Sequence, residues 1–250
     1  MKPTSILYRF LVGTLLINLI WYVAYLLIGG SALVNPLVVY KALPTLLQGT
    51  MSVHLFASLR RILIGIPIAL LLGVLLAWLI YRYRHIGRVM NALIYLSYPI
   101  PKLALLPIVM LIAGLGDAGK VTMIVLILVF QVIVNVRDSL VNIPRESFHL
   151  ATSLGASGGR VFRHILLPAA LPDILSTLRV AIGTAISVLF VTETYGTDRG
   201  MGYFITDAWM RFGYVEMYGG IVILSMVGFL LFVLVDIAEE RLCKWRSTAL

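Results

Sequence analysis

The chain has 250 residues, 60% hydrophobic and 12% charged, and a mean hydropathy of +1.00. No single soluble core holds that much apolar side chain, so a soluble domain is excluded; an all-α polytopic membrane protein, treated as one domain, is expected. The net charge of +9 gathers at the ends of apolar runs, which is a topology signal and not a nucleic-acid surface.

A membrane span needs about 20 apolar residues to cross about 30 Å of hydrocarbon. Six are predicted: Ile6–Ile28, Ile62–Ile80, Val89–Ala113, Val121–Val136, Ile174–Tyr195 and Tyr218–Ile237. The first is too long for the apolar part of a cleaved signal peptide and has no small-residue cleavage site. An amphipathic stretch, Leu37 to Leu47, reads as an interfacial helix packed over the bundle. Pro99, Pro101 and Pro107 break the third span. Its freed backbone groups need cover, so that span is expected to face the protein interior. With both termini inside, 13 of the 20 Lys and Arg residues fall on the cytoplasmic side. Arg60 and Arg61 run against this bias and read as snorkelling side chains.

The longest polar interruption is residues 142–172, NIPRESFHLATSLGASGGRVFRHILLPAALP. It reads as two short helices on the cytoplasmic side. Asn142 and Pro144 supply helix-start chemistry with Glu146 in the first turn; Gly155 suits the left-handed residue that ends a helix, and Ser157 can cap the next. Phe148, Ala151 and Leu154 give the first helix an apolar side, and Val161, Phe162 and Ile165 the second. Such a pair is either a lever for something outside the membrane or an interfacial loop.

Several motifs invite a catalytic reading and lack its context. Gly114 to Lys120 follows a phosphate-binding loop until Val121 stands where a Ser or Thr would hold magnesium, and no soluble strand precedes it. The Gly-Leu-Gly-Asp within it resembles the motif of membrane aspartyl proteases, but no second aspartate lies deep in a span. Both read better as a tight turn. His54, His85, His149 and His164 are scattered without metal-ligand spacing, and the single Cys243 excludes an internal disulfide. No metal, cofactor or covalent chemistry is expected. Polar residues inside spans tend to face a bundle interior. Gln131 and Asn135, Thr184 and Ser187, Lys102 and Glu193 are therefore candidates for a pathway, with interhelical hydrogen bonding or ion pairing as the alternative.

The spacing Gly155, nine residues, Ile165, one residue, Leu167-Pro168 resembles the cytoplasmic EAA loop of ABC-importer permeases. That signature begins Glu-Ala-Ala three residues before the glycine. Ala151 stands on its second alanine, while His149 replaces the glutamate and Leu150 the first alanine; Glu146 lies one turn earlier. More of the chain, about residues 55 to 246, resembles the nitrate, sulfonate and taurine branch. Arg61 and Gly65 match its Arg-x-x-x-Gly, and Ile100-Pro101 with Pro107 its proline pattern. Glu193 followed by Gly200-Met201-Gly202-Tyr203 matches its Glu and Gly-Leu-Gly-Tyr, and Glu240-Arg241 with Trp245 its terminal pattern.

The resemblance implies a type I ABC-importer transmembrane fold in a bacterial inner membrane. It implies a second permease copy, a cytoplasmic ATPase subunit that alone binds ATP, and an extracytoplasmic binding protein that delivers a small solute. Glu146, His149, Ala151, Gly155, Ala156, Arg160, Ile165 and Pro168 would then form the ATPase-docking loop. The branch and a positive Lys102 lean towards an anion. The other readings are an ion-coupled secondary transporter, for which Glu193 would be the carboxylate, and a membrane scaffold without a pathway. The two halves show no internal repeat, which weighs against the first.

Overall fold

Lipid tails are as apolar as leucine, so helices in a bilayer hold together through close approach and hydrogen bonds. The computed structural model describes residues 3–29, 33–97, 99–144, 146, 153, 155–156 and 158–246. Every regular element among them is a helix: α1 Pro3–Ile28, α2 Pro36–Gln48, α3 Met51–Arg82, α4 Arg84–Ser97, α5 Leu106–Ala113 and α6 Asp117–Val141. Then come α7, Gly158–Glu193, α8, Met201–Met210, and α9, Tyr214–Leu242. Helices α3, α6, α7 and α9 are long and apolar enough to cross a bilayer; α4 with Lys102–Ala113 adds a fifth if that bent pair crosses as one. The first predicted span is α1, whose described apolar stretch is Val12–Ile28.

The centre is the contact of α3 with α6. Gly65, Ala69, Gly73 and Ala77 are buried at every fourth position of α3, a ridge of small residues. Opposite it, α6 buries Ile124, Leu128, Val132 and Val136 at the same interval. Branched side chains thus fill the groove that missing side chains leave. A Cβ on Gly65 would lie 2.8 Å from Ile124 Cγ2, and one on Gly73 2.5 Å from Val132 Cγ1 and 2.6 Å from its Cβ. We expect Gly73→Ala to lower stability by about 1–3 kcal/mol through overpacking. Gly13→Ala, whose Cβ meets nothing within 4 Å, should not lower it. Thermal melts of the two variants in detergent check this, and equal midpoints would remove the close-packing account. Around this pair, α5, α7 and α9 complete the main core with Met110, Leu175, Ala185, Leu189 and Val235.

Helix α7 corrects the sequence reading. The second loop helix is not separate from the fifth span: Gly158 to Glu193 is one helix, despite Pro168 and Pro172. A wide turn over Phe162–Leu166 explains how. It carries the Leu167 N–H to the Phe162 carbonyl, five residues back. The next residue is Pro168, which has no N–H to lose. Arg179, counted among the cytoplasmic charges, lies inside this helix and pairs with Asp236 and with Glu239 (2.8 Å) on α9. Ser139 donates to Asp173 at 2.6 Å, tying α6 to α7 in the same half.

The proline-broken third span divides into α4 and the Lys102–Ala113 stretch, bent by 90°. It does not face the interior as a whole. Helix α5 buries Leu106, Val109 and Met110 and leaves Ile108, Leu111 and Ile112 exposed, because the bend throws α4 outward along α3. The expected amphipathic helix is α2. Asn35 Oδ1 accepts from Leu37 N at 2.9 Å, with Pro36 in the first turn. Its Leu43 and Leu46 pack on Gly219 of α9. Trp21 of α1 meets Tyr40 and Tyr218 beside it.

Candidate functional site

At the end of the bundle remote from residues 142–172, α3 carries His54, Ser58 and Arg61, spaced four and three apart and hence on one face. Helix α7 ends there on Glu193. After a turn, α8 starts beside it. Glu193 is 1% exposed and Arg61 3%. Arg61 Nη1 donates to Glu193 Oε1 at 2.5 Å and to the Arg199 carbonyl at 2.9 Å. Its other edge meets Asp117 Oδ1, with Nε and Nη2 each at 2.7 Å. The guanidinium is thus shared between two carboxylates, and Arg60 closes on the second oxygen of Asp117. Neither arginine needs a snorkelling account. Arg61 is a buried hub, and Arg60 is held by an acid.

The carboxylate of Glu193 also stands at the start of α8. The first amides of a helix lack partners within it. Here three consecutive ones find side chains: Gly200 N donates to His54 Nδ1 (3.3 Å), Met201 N to Ser58 Oγ (2.8 Å) and Gly202 N to Glu193 Oε2 (2.9 Å). The Ser58 hydroxyl lies 2.8 Å from both Glu193 oxygens and donates to that carboxylate. A negative group at a helix N-terminus also suits the helix dipole. His54 stacks on Tyr203, centroids 5.6 Å apart.

The glycines make this approach possible. Gly200 has φ +130°, and a Cβ there would collide with the carboxyl carbon of Glu193; one on Gly202 would collide with the Phe190 carbonyl. The Gly114–Lys120 stretch is the tight turn expected between two spans. Lys120, fully buried, folds back to donate to the Leu115 carbonyl and to Gly116 O (3.5 Å). Its ammonium closes a turn and holds no phosphate. The two patterns Arg61…Gly65 and Glu193…Gly200-Met201-Gly202-Tyr203 therefore converge on one cradle. His54, Ser58, Asp117 and Lys120 complete it; sequence reasoning missed them as partners, although the four-and-three spacing of His54, Ser58 and Arg61 was visible.

The remaining predicted residues are dispersed. Lys102 is half-buried at the α4–α5 bend, with Nζ 3.4 Å from Ser97 O and 5.2 Å from the centre of the Phe130 ring. On α6, Gln131 is half-buried and Asn135 exposed. On α7, Thr184 and Ser187 donate to the carbonyls of Val180 (3.2 Å) and Gly183 (3.0 Å). Ser187 opens onto a groove of about 620 Å³ between α7, α8 and α9, lined also by Phe190, Ser225, Phe229 and Phe232 and by no charged side chain. In the loop, Glu146 is helical and exposed, Gly155 has φ +69°, Ala156 is half-buried and Arg160 exposed. Ile165 and Pro168 are half-buried at the base of α7. His149 and Ala151 lie outside the described residues. Among the described residues no three His, Cys, Asp or Glu side chains gather to hold a metal.

The family model described as "Binding-protein-dependent transport system inner membrane component" matches residues 65–246, most of the chain. The chain belongs to that family. The permease is 31% identical to the formylaminopyrimidine transport permease protein ThiX of Halalkalibacterium halodurans, over 93% of this chain and 94% of the relative. It is 29% identical to the taurine transport system permease protein TauC of Escherichia coli, over 94% and 89%. It is also 29% identical to the putative aliphatic sulfonates transport permease protein SsuC of Bacillus subtilis, over 99% and 92%. Its fold matches a chain of the MetNI methionine ABC transporter in an inward-facing conformation, with TM-score 0.64, 19% identity, and coverage of 82% of this chain and 97% of that one. The permease is thus the transmembrane component of an ATP-driven importer, and ATP hydrolysis is the work of a separate subunit.

Proposed function

We propose that two copies of this permease enclose the solute pathway, with residues 142–172 on the cytoplasmic side as the docking lever for an ATPase subunit. One observation carries the reading: the helix that leaves the Gly155 turn is the helix that crosses the bundle. Movement of a subunit docked at Gly155, Ala156 and Arg160 would therefore displace a spanning helix directly. The basic bias around this end supports its cytoplasmic placement. Closure of an ATPase pair rocks the packed helices as rigid bodies, which is the usual repertoire for such transitions.

The solute class follows from the relatives and the charges. The similar permeases carry formylaminopyrimidine, taurine or aliphatic sulfonates by name. Lys102 at the bend, flanked by Gln131, Asn135, Thr184 and Ser187 on neighbouring helices, places a positive potential where a small anion such as a sulfonate passes. Glu193 is sealed in the cradle and takes no part in this path.

The experiment is reconstitution with the ATPase and binding protein, followed by uptake of labelled taurine and labelled formylaminopyrimidine into proteoliposomes. ATP-dependent taurine uptake is expected; uptake of the pyrimidine alone would overturn the anion assignment. Gly155→Val tests the lever. Nothing lies within 4 Å of a Cβ at Gly155, so the substitution acts through the left-handed backbone, at about 1–2 kcal/mol of strain. We expect the variant to insert normally yet lose ATPase co-purification and uptake. Undiminished uptake would strip the loop of its docking role.

A further inference from the structure

The cradle joins two parts of the molecule that face different partners. From Leu167 to Glu193, 27 residues, α7 spans about 40 Å, from the base of the loop to the far end of the bundle. There the first three amides of α8 are held by side chains of α3 and α7. At its other end α8 turns into α9 through a short knuckle that points outward. Trp209, Met210 and Phe212 are 59%, 63% and 76% exposed. Phe212 holds φ +59°, a left-handed backbone that a bulky side chain adopts only where its surroundings enforce it. Arg211 supplies that enforcement, reaching Asp207 at 2.9 Å and Glu216 at 3.2 Å.

We propose that α8 is a relay, whose exposed knuckle seats the solute-loaded binding protein and whose Glu193 cradle passes that contact along α7 to the ATPase loop. This rests on the importer reading above. Two observations point to the binding protein as occupant. The knuckle lies at the bundle end opposite Gly155, the side from which a binding protein delivers. An aromatic tip ringed by Asp207, Arg211 and Glu216 also has the composition of a protein-docking anchor, an apolar centre in a polar rim. Within the relay Glu193 is a positioning residue. It touches neither solute nor nucleotide, and it fixes α8 to α7 through Gly202 N and to α3 through Arg61 and Ser58. Energetic coupling is reciprocal, so ATPase engagement at the loop also changes the affinity of the knuckle for its partner.

The two ends of the relay separate in one assay, ATPase activity of the reconstituted complex as loaded binding protein is added. Phe212→Asn removes the ring and keeps a residue that tolerates the left-handed backbone. It is expected to raise the half-stimulating concentration of binding protein about tenfold or more, with the maximum unchanged. Glu193→Gln keeps an acceptor for Gly202 N and leaves Arg61 on Asp117, so the complex still assembles. Its basal ATPase and half-stimulating concentration should match the parent, while maximal stimulation falls about fivefold or more. Ser58→Ala should lower the maximum in the same sense. An unchanged half-stimulating concentration for Phe212→Asn would assign the ring to the lipid interface and overturn the docking. Full maximal stimulation in Glu193→Gln would overturn the relay, and so would failure of both cradle variants to assemble, which would make the cradle a folding element only. A parent complex that no binding protein stimulates refutes the importer reading itself, and the relay falls with it.

Discussion

Arg61→Met should cost about 3–5 kcal/mol, the penalty for removing one partner of a buried ion pair. The methionine fills similar space but leaves Glu193, 1% exposed, without its charged partner. It also releases Asp117 from all but Arg60 and strips the Arg199 carbonyl of its donor. Native stability is only about 5–15 kcal/mol, so most of the variant should fail to accumulate. Exchanging the pair, Arg61→Glu with Glu193→Arg, should not rescue it. A guanidinium at position 193 would face the Gly202 N–H and the positive end of α8, which need an acceptor. Yield after detergent extraction and the melting midpoint of the purified chain measure both. Parental values for Arg61→Met, or full recovery in the exchanged pair, would show that the cradle is not built on this polarity.

Gly200→Ala should be nearly as damaging, for two separate reasons. With φ +130° and ψ +158°, Gly200 occupies backbone space that is essentially restricted to glycine, and a side chain there costs about 1–3 kcal/mol. The new methyl would also land on the carboxyl group of Glu193 and push it off Ser58, Arg61 and Gly202. Gly155→Ala is the internal comparison, being left-handed as well but open to space. It should cost only the backbone strain. If melts of the two variants coincide, the crowding at Gly200 carries no weight.

Much of the scaffold was legible where local chemistry and hydropathy agree. Asn35-Pro36 marks the start of α2, and Gly155 was read as the left-handed end of a loop helix, which its φ of +69° matches. The reading stopped where tertiary partners override local pattern. Residues 51–61 carry Ser52, His54, Ser58, Arg60 and Arg61, so hydropathy reads them as loop and starts the span at Ile62. They are helical because α7, α8 and Asp117 satisfy those polar groups, and partners that far along the chain leave no trace in a local window. Pro168 and Pro172 misled in the opposite direction, since a wide turn upstream absorbs the first without ending the helix. For the candidate site, the Arg61 and Glu193 patterns were each visible, but nothing in their spacing says that they meet.

The sharing of Arg61 between two acids has a consequence for how the protein is made. As the chain leaves the ribosome, Arg61 emerges first; Asp117 follows 56 residues later and Glu193 132 residues later. The upper end of α3 therefore enters the bilayer boundary with two adjacent cations and no counter-charge. Asp117 neutralises them once the Gly114–Lys120 turn has emerged, which lets α3 and α6 settle ridge against ridge as a first stable pair. Glu193 can then arrive last on α7 at a guanidinium already held in place, and α8, whose opening amides depend on that carboxylate, forms only after it. Biogenesis thus follows the order of the acids, and a nascent chain arrested before residue 193 would expose an incomplete charge cluster to quality-control proteases.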